Sequence, residues 1–445
     1  MIYFQVEKSS ELLESPYNNR LTAQQANTER GSILARDGTV LARTVTNDDG
    51  SESRVYDCGS LFAQTVGYTD YGNAGLEATQ NYILQDSSQT IMDQLSGDLT
   101  EKKRQGDDLV TSLDVNMQTA ARNALDGHKG AVIVLDANTA KVRASVSLPD
   151  FDPNTVYEDW ESLNTEDSGS PFLNRGLQGL YEPGSTFKIV TALAYLNEYG
   201  TDANFSYDCS SEYTQGSYTI HCSANTAHGS QSLSDAFANS CNCAFAYMAT
   251  ELLDSTALAE AASQLNFGQE LSLGLPSSTS SYSLDKTTKD GLTMQTAIGQ
   301  GDTLVTPIYM AMIAQSIYNN GEMLMPSFIE QVQSSDGRVV KTEDVQSLGN
   351  VMTQDETNYL KGYMQQVVSS GTAASAFADV SIPVLGKTGT AEYDNSDGHV
   401  HSWFVGFTNT GSEDVVIAVL IEEATVGDTS AAQVAANMIN AYFAG

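Results

Sequence analysis

The 445-residue chain predicts an α+β protein in two domains, the larger one carrying strands at both of its ends and helices between them. Three observations support that reading. Residues 131–136 and 141–147 alternate apolar and polar side chains around the turn Ala137-Asn138-Thr139, the pattern of a hairpin at the edge of a sheet. Near the C-terminus, Val384–Glu392, 403–409 and 414–421 read as three further strands, and Ala431–Phe443 reads as a closing helix. The stretch between them is mostly helical in pattern until Pro383, so the sheet is expected to be assembled from both ends of one domain. A charged run, Glu101-Lys102-Lys103-Arg104-Gln105-Gly106-Asp107-Asp108, marks the boundary between residues 1–107 and 108–445.

Within the first region, Arg30-Gly31-Ser32-Ile33-Leu34-Ala35-Arg36-Asp37-Gly38-Thr39-Val40-Leu41-Ala42 sets Asp37-Gly38 between two alternating apolar stretches, a β-hairpin signal. The region holds no convergent nucleophile or acid–base cluster and reads as a spacer. Beyond the boundary, 109–114 reads as a short strand and Val115–Leu125 as an amphipathic helix.

Composition narrows the function. A net charge of −35 and a pI near 4.2 argue against nucleic acid or an anionic membrane surface as a partner. No apolar run approaches the ~20 residues that span a bilayer, and no cleavable signal peptide follows Met1. Of the five cysteines, Cys209 and Cys222 bracket a Tyr/Ser/Gly-rich segment with the look of a surface hairpin, where a disulfide is plausible outside the cell. A zinc site using His221 and His228 fits no finger or ribbon spacing, so no metal is expected. Cys241 and Cys243, placed on one helix, would point to different sides as small packing residues. Cys58 is the odd one out.

The chemistry lies in three short elements. In Glu182-Pro183-Gly184-Ser185-Thr186-Phe187-Lys188, a Pro-Gly punctuation precedes an apolar helix, and a spacing of three puts the Ser185 hydroxyl and the Lys188 amine on one face. A lysine desolvated in a core can take the serine's proton at neutral pH. The second element is Ser240-Cys241-Asn242, after a capping-box start at Ser232 and Asp235. The third, Lys387-Thr388-Gly389-Thr390, lies on a predicted strand, where Gly389 is expected to let a ligand backbone approach the edge. Each element alone is common; their joint occurrence in this order is not.

Together S-x-x-K, S-x-N and K-T-G resemble the class B (monofunctional) penicillin-binding proteins, and the flanking words agree. Asn174-Arg175 and Tyr181-Glu182-Pro183-Gly184 precede the serine, Ile298-Gly299-Gln300-Gly301 and Thr306-Pro307 follow, and Gly371-Thr372 and Trp403-Phe404-Val405-Gly406-Phe407 flank the third element. The N-terminal run from Arg30 to Ala42, with Gly67-Tyr68, Tyr71-Gly72 and Gly75-Leu76-Glu77, resembles the family's pedestal, and Asp150-Phe151-Asp152-Pro153-Asn154 its D-P-N loop. Ala35 departs from the usual Asp. The short pedestal is most similar to the penicillin-binding protein A type.

The resemblance implies the penicillin-binding transpeptidase (serine β-lactamase-like) fold and a D,D-transpeptidase that cross-links peptidoglycan through an acyl-enzyme on Ser185. Lys188 would be the base, Ser240 a proton relay, Asn242 a ligand to the substrate amide and Lys387 a second positive charge. Thr388, Gly389 and Thr390 would bind the substrate. It also implies D-Ala-D-Ala stem peptides and β-lactams as ligands, a separate membrane-embedded glycosyltransferase as partner, no cofactor and no nucleic acid. The implied location is the extracytoplasmic face of a bacterial cell membrane, with an anchoring helix ahead of Met1. A carboxypeptidase or β-lactamase would pass the acyl group to water, but no E-x-x-L-N-like deacylation element lies between Ser240 and Lys387. A non-catalytic β-lactam sensor is the remaining alternative.

Overall fold

The computed structural model describes residues 28–70, 72–88, 103–285, 288–392, 399–425 and 429–443. Tyr71 of the pedestal words, Glu101-Lys102 of the charged run and the N-terminal stretch from Met1 lie outside them. The strands expected at the two ends of the larger domain do meet. Val384–Glu392, Val400–Thr408, Val415–Ala424, Gly130–Asp136 and Val142–Leu148 form one five-stranded sheet in that order, antiparallel throughout. The two middle strands from the C-terminal part are buried at nearly every position, as a sheet covered on both faces requires. Ala431–Phe443 packs on Val115–Leu125 and on the sheet, and Pro307–Tyr318 packs on the central strands. Asp114 caps Val115–Leu125 by accepting from Met117 N–H, which explains why that helix begins there.

The middle of the chain is less helical than its pattern suggests. Short strands at Tyr207–Cys209, Glu212–Gln215, Tyr218–His221 and Gly229–Gln231 interrupt it, and Glu212–Gln215 pairs with Tyr218–His221 as the hairpin expected between Cys209 and Cys222. Four more strands fall between Glu322 and Asn350. These are short and mostly exposed or half-buried, so they carry little apolar alternation to read.

The expected strand at 109–114 forms at Asp108–Thr111, but in a different sheet. It runs parallel to Ile33–Leu34 and antiparallel to Ile329–Gln333. The resulting six-stranded sheet also holds Val40–Thr46, Glu52–Val55 and Val339–Thr342. Strands from both sides of the 107/108 boundary therefore share one sheet. The Asp37-Gly38 hairpin is present, with Gly38 at φ +86°.

The pedestal words meet in three dimensions. Glu77 is completely buried and accepts from Arg30 Nε at 2.6 Å and Arg54 Nε at 2.7 Å. Arg30 thus ties the first word to Gly75-Leu76-Glu77. The D-P-N loop serves as a latch: Asn154 accepts from Tyr56 N–H at 2.9 Å and donates to Tyr56 O at 3.0 Å. Asn154→Ala leaves both backbone groups without these partners and is expected to cost about 1–3 kcal/mol, measured as a lower urea midpoint. An unchanged midpoint would show that water replaces the latch at no cost.

Candidate active site

Pro183 and Gly184 lead into one 3₁₀ turn, Gly184–Phe187, from which the apolar helix Lys188–Tyr199 continues. In a 3₁₀ turn, residues three apart eclipse, so Ser185 and Lys188 stack directly. Lys188 Nζ lies 3.0 Å from Ser185 Oγ. Gly184 sits at φ +51°, and a Cβ there would come within 2.5 Å of Thr390 O. Gly299, at φ +78°, leaves still less room: its Cβ would meet Gly184 O at 1.9 Å. The glycine of the G-Q-G word is therefore required by the backbone of the nucleophile turn.

Ser240 stands between two short helices, Leu233–Ala238 and Asn242–Tyr247. The first begins with the expected Ser232/Asp235 capping box. Ser240 adopts φ +54°, a left-handed conformation unusual for a non-glycine residue and frequent at functional sites. That turn aims its carbonyl and hydroxyl at the lysines. Lys188 Nζ donates to Ser240 O at 2.7 Å and to Asn242 Oδ1 at 2.7 Å. Ser240 Oγ lies 3.2 Å from Lys188 Nζ and 3.0 Å from Lys387 Nζ. One hydroxyl thus bridges two amines.

Both lysines are fully buried. Burial lowers the Lys188 ammonium to about 8, with the neighbouring Cys241, Cys222 and Cys243 opposing the shift. Lys387 falls well below its usual range through burial and then through Lys188. Two acceptors at 2.7 Å occupy two N–H groups of Lys188. A neutral amine has two N–H bonds and one lone pair, so in that state the lone pair is left for the Ser185 hydroxyl. The geometry thus holds Lys188 ready to accept a proton from Ser185.

Lys387-Thr388-Gly389 lies on the edge strand of the five-stranded sheet. A Cβ on Gly389 would meet Pro183 O and Thr186 Cγ2, each at 2.9 Å. The glycine is therefore demanded by the nucleophile turn behind the strand, a constraint additional to the open edge expected from sequence. Thr390 is exposed and Thr388 half-buried, both on the strand that packs against the Gly184–Phe187 turn.

The site brings together Ser185, Lys188, Ser240, Asn242 and Lys387, with the Thr388-Gly389-Thr390 strand against the same turn. Several flanking residues gain roles that their motif words alone did not suggest. Thr372 Oγ1 bonds Thr388 Oγ1 at 2.5 Å. Trp403 Nε1 donates to Glu182 O at 3.0 Å, pinning the turn to the sheet. Gln300 turns its amide nitrogen to Glu392 O (3.2 Å) and its oxygen to Glu392 N–H (3.1 Å), closing the far end of the K-T-G strand edge. Buried Glu422 accepts from Arg175, Tyr181 and Lys129. A salt bridge between residues 175 and 422 leaves no signal in sequence spacing.

Residues 130–441 match the family description Penicillin binding protein transpeptidase domain. The chain belongs to this family. Residues 30–109 match the Penicillin binding protein A dimerisation domain. A curated relative, the peptidoglycan D,D-transpeptidase PbpA of Mycolicibacterium smegmatis, is 27% identical over 94% of this chain and 89% of its own length. Among solved structures, the D,D-transpeptidase domain of a peptidoglycan glycosyltransferase from Eggerthella lenta superposes with TM-score 0.82 at 28% identity, covering 94% of this chain and 99% of that one. The imipenem acyl-enzyme complex of penicillin-binding protein A from M. tuberculosis gives 0.84 at 25% identity over 94% and 99%. The penicillin-binding transpeptidase fold expected from the motifs is the fold of the chain.

Proposed function

We propose that the chain is a peptidoglycan D,D-transpeptidase acting through an acyl-enzyme on Ser185, and that β-lactams acylate the same atom. The observation that carries this reading is the Lys188 amine, 3.0 Å from Ser185 Oγ with two of its N–H groups engaged by Ser240 O and Asn242 Oδ1. Lys188 takes the Ser185 proton as Oγ attacks the penultimate D-Ala carbonyl. Ser240 Oγ, bridging Lys188 and Lys387, returns a proton to the departing D-Ala amine. Asn242 orients the substrate amide, and Thr388, Gly389 and Thr390 receive the substrate strand and its carboxylate. The backbone N–H groups of Ser185 and Thr390 supply the oxyanion hole. An amine of a second stem peptide then accepts the acyl group.

In this reading, residues 1–107 are a non-catalytic pedestal and 108–445 the catalytic domain. The work is done at the extracytoplasmic face of the cell membrane, alongside a separate membrane-embedded glycosyltransferase. Incubating the protein with lipid-linked peptidoglycan and a polymerase is expected to yield cross-linked dimers. Trimmed monomers alone would instead identify a carboxypeptidase.

The pH dependence has a definite sign. The base works as a free amine, and burial places its titration at about 8. Acylation by a β-lactam is therefore expected to fall as pH drops below about 8 and to level off above about 9. Stopped-flow acylation rates across this range test it; a rate that rises toward acid would remove Lys188 as the base.

A further inference from the structure

Four cysteines and one histidine converge directly behind the S-x-N turn. Cys209 ends one strand, Cys222 follows the Tyr218–His221 strand, and His228 precedes Gly229–Gln231. The antiparallel pairing of Cys209 with Gly229 brings His228 beside Cys209. Cys241 is the cap of Asn242–Tyr247 and lies outside the helix, so the helical separation expected between Cys241 and Cys243 does not hold. Cys222 Sγ lies 3.6 Å from Cys241 Sγ and 3.4 Å from Cys243 Sγ. Cys209 Sγ lies 3.7 Å from Cys222 Sγ and 3.6 Å from His228 Nδ1. The donor atoms of Cys209, Cys222, His228 and Cys241 all fall within 4.8 Å of one another.

We propose that Cys209, Cys222, Cys241 and His228 bind one zinc ion that clamps the hairpin onto the Ser240-Cys241-Asn242 turn. Apolar packing does not require donor atoms to converge, whereas a tetrahedral metal does. With Zn–S bonds of about 2.3 Å, the edge between two thiolates is about 3.7–3.8 Å, close to the separations seen here. Three sulfurs and one imidazole are the donor set that selects zinc over harder cations. The three cysteines are almost wholly buried, and His228 is partly so. Cys243 stays outside the set: its S–H donates to Ile220 O at 3.7 Å, and its sulfur lies 3.4 Å from Cys222 Sγ as an acceptor. Binding Zn²⁺ displaces the ligand protons to solvent and leaves a site of net charge −1.

The consequence lies one residue away. Cys241 separates Ser240 from Asn242, and Asn242 Nδ2 also donates to His221 O of the hairpin at 3.0 Å. A metal holding Cys241 to Cys209, Cys222 and His228 fixes the left-handed Ser240 backbone and the Asn242 amide together. This part rests on the transpeptidase reading; the metal site itself does not.

The test begins with protein purified under reducing conditions without chelator, its metal content measured by plasma mass spectrometry. About one zinc per chain is expected, retained in Cys58→Ser, which lies in the pedestal. Cobalt exchanged into the wild type should give a thiolate charge-transfer band and tetrahedral d–d absorption, a readout independent of activity. His228→Ala and Cys209→Ser should weaken zinc binding at least about tenfold with unchanged circular dichroism, and zinc removal should slow penicillin acylation by about the same factor. The proposal is overturned if folded, reduced wild type binds neither added Zn²⁺ nor Co²⁺. It is equally overturned if the variants bind zinc as tightly as wild type, or if the native protein carries a Cys209–Cys222 disulfide. Zinc bound without any effect on acylation would keep the site and remove its coupling to Ser240.

Discussion

Ser185→Ala is expected to abolish covalent labelling by a fluorescent penicillin, with the acylation rate down by more than about 10⁴-fold and the protein still folded. Ser185 is only partly buried and its hydroxyl makes one short contact, to Lys188, so little packing is lost. Lys188→Ala should fall nearly as far, because a serine without a base is a weak nucleophile at neutral pH. It removes a fully buried side chain as well, so circular dichroism must accompany that measurement. Residues that act as one unit are non-additive, so the double variant should be no slower than Ser185→Ala. Labelling that survives Ser185→Ala would place the nucleophile elsewhere and end the present reading of the site.

The second large effect is structural. Glu77→Ala leaves two buried guanidinium groups, Arg30 and Arg54, without their shared carboxylate. Removing one member of a buried charge cluster costs about 3–5 kcal/mol, because the remaining charges stay desolvated and uncompensated. Arg30 also donates to Glu77 O and Asn81 Oδ1, so the loss spreads to the turn around Gly75. A urea titration should show a markedly lower midpoint in a transition involving the pedestal. A shift below about 1 kcal/mol would mean that solvent reaches the arginines and that the cluster is not closed.

The catalytic parts were legible because each is a local word with a local cause. Pro183 and Gly184 open the nucleophile turn, Ser232 and Asp235 cap a helix, and 384–392 forms the expected strand. The flanking words were visible as words, but their reasons were not. Gly299 is a glycine because Gly184 O lies against it, and Gly389 because Pro183 O does. Neither partner is near in sequence. The strand at 109–114 was readable, yet its sheet was not, since a four-residue strand carries no information about which edge it joins. The cysteine spacing matches no metal motif and suggests a hairpin staple and packing residues; only the folded backbone sets their sulfurs 3.4–3.7 Å apart.

By itself, the sequence determined the α+β class and the Asp37-Gly38 hairpin and pointed to eight candidate site residues, since these depend on short-range periodicity, turn chemistry and motif order. The tertiary structure alone decided which amines share Ser240 Oγ, how far burial lowers Lys188, and which thiols face one another. Those depend on desolvation and on separations of a few ångströms between residues 185, 240 and 387, which no spacing along the chain encodes.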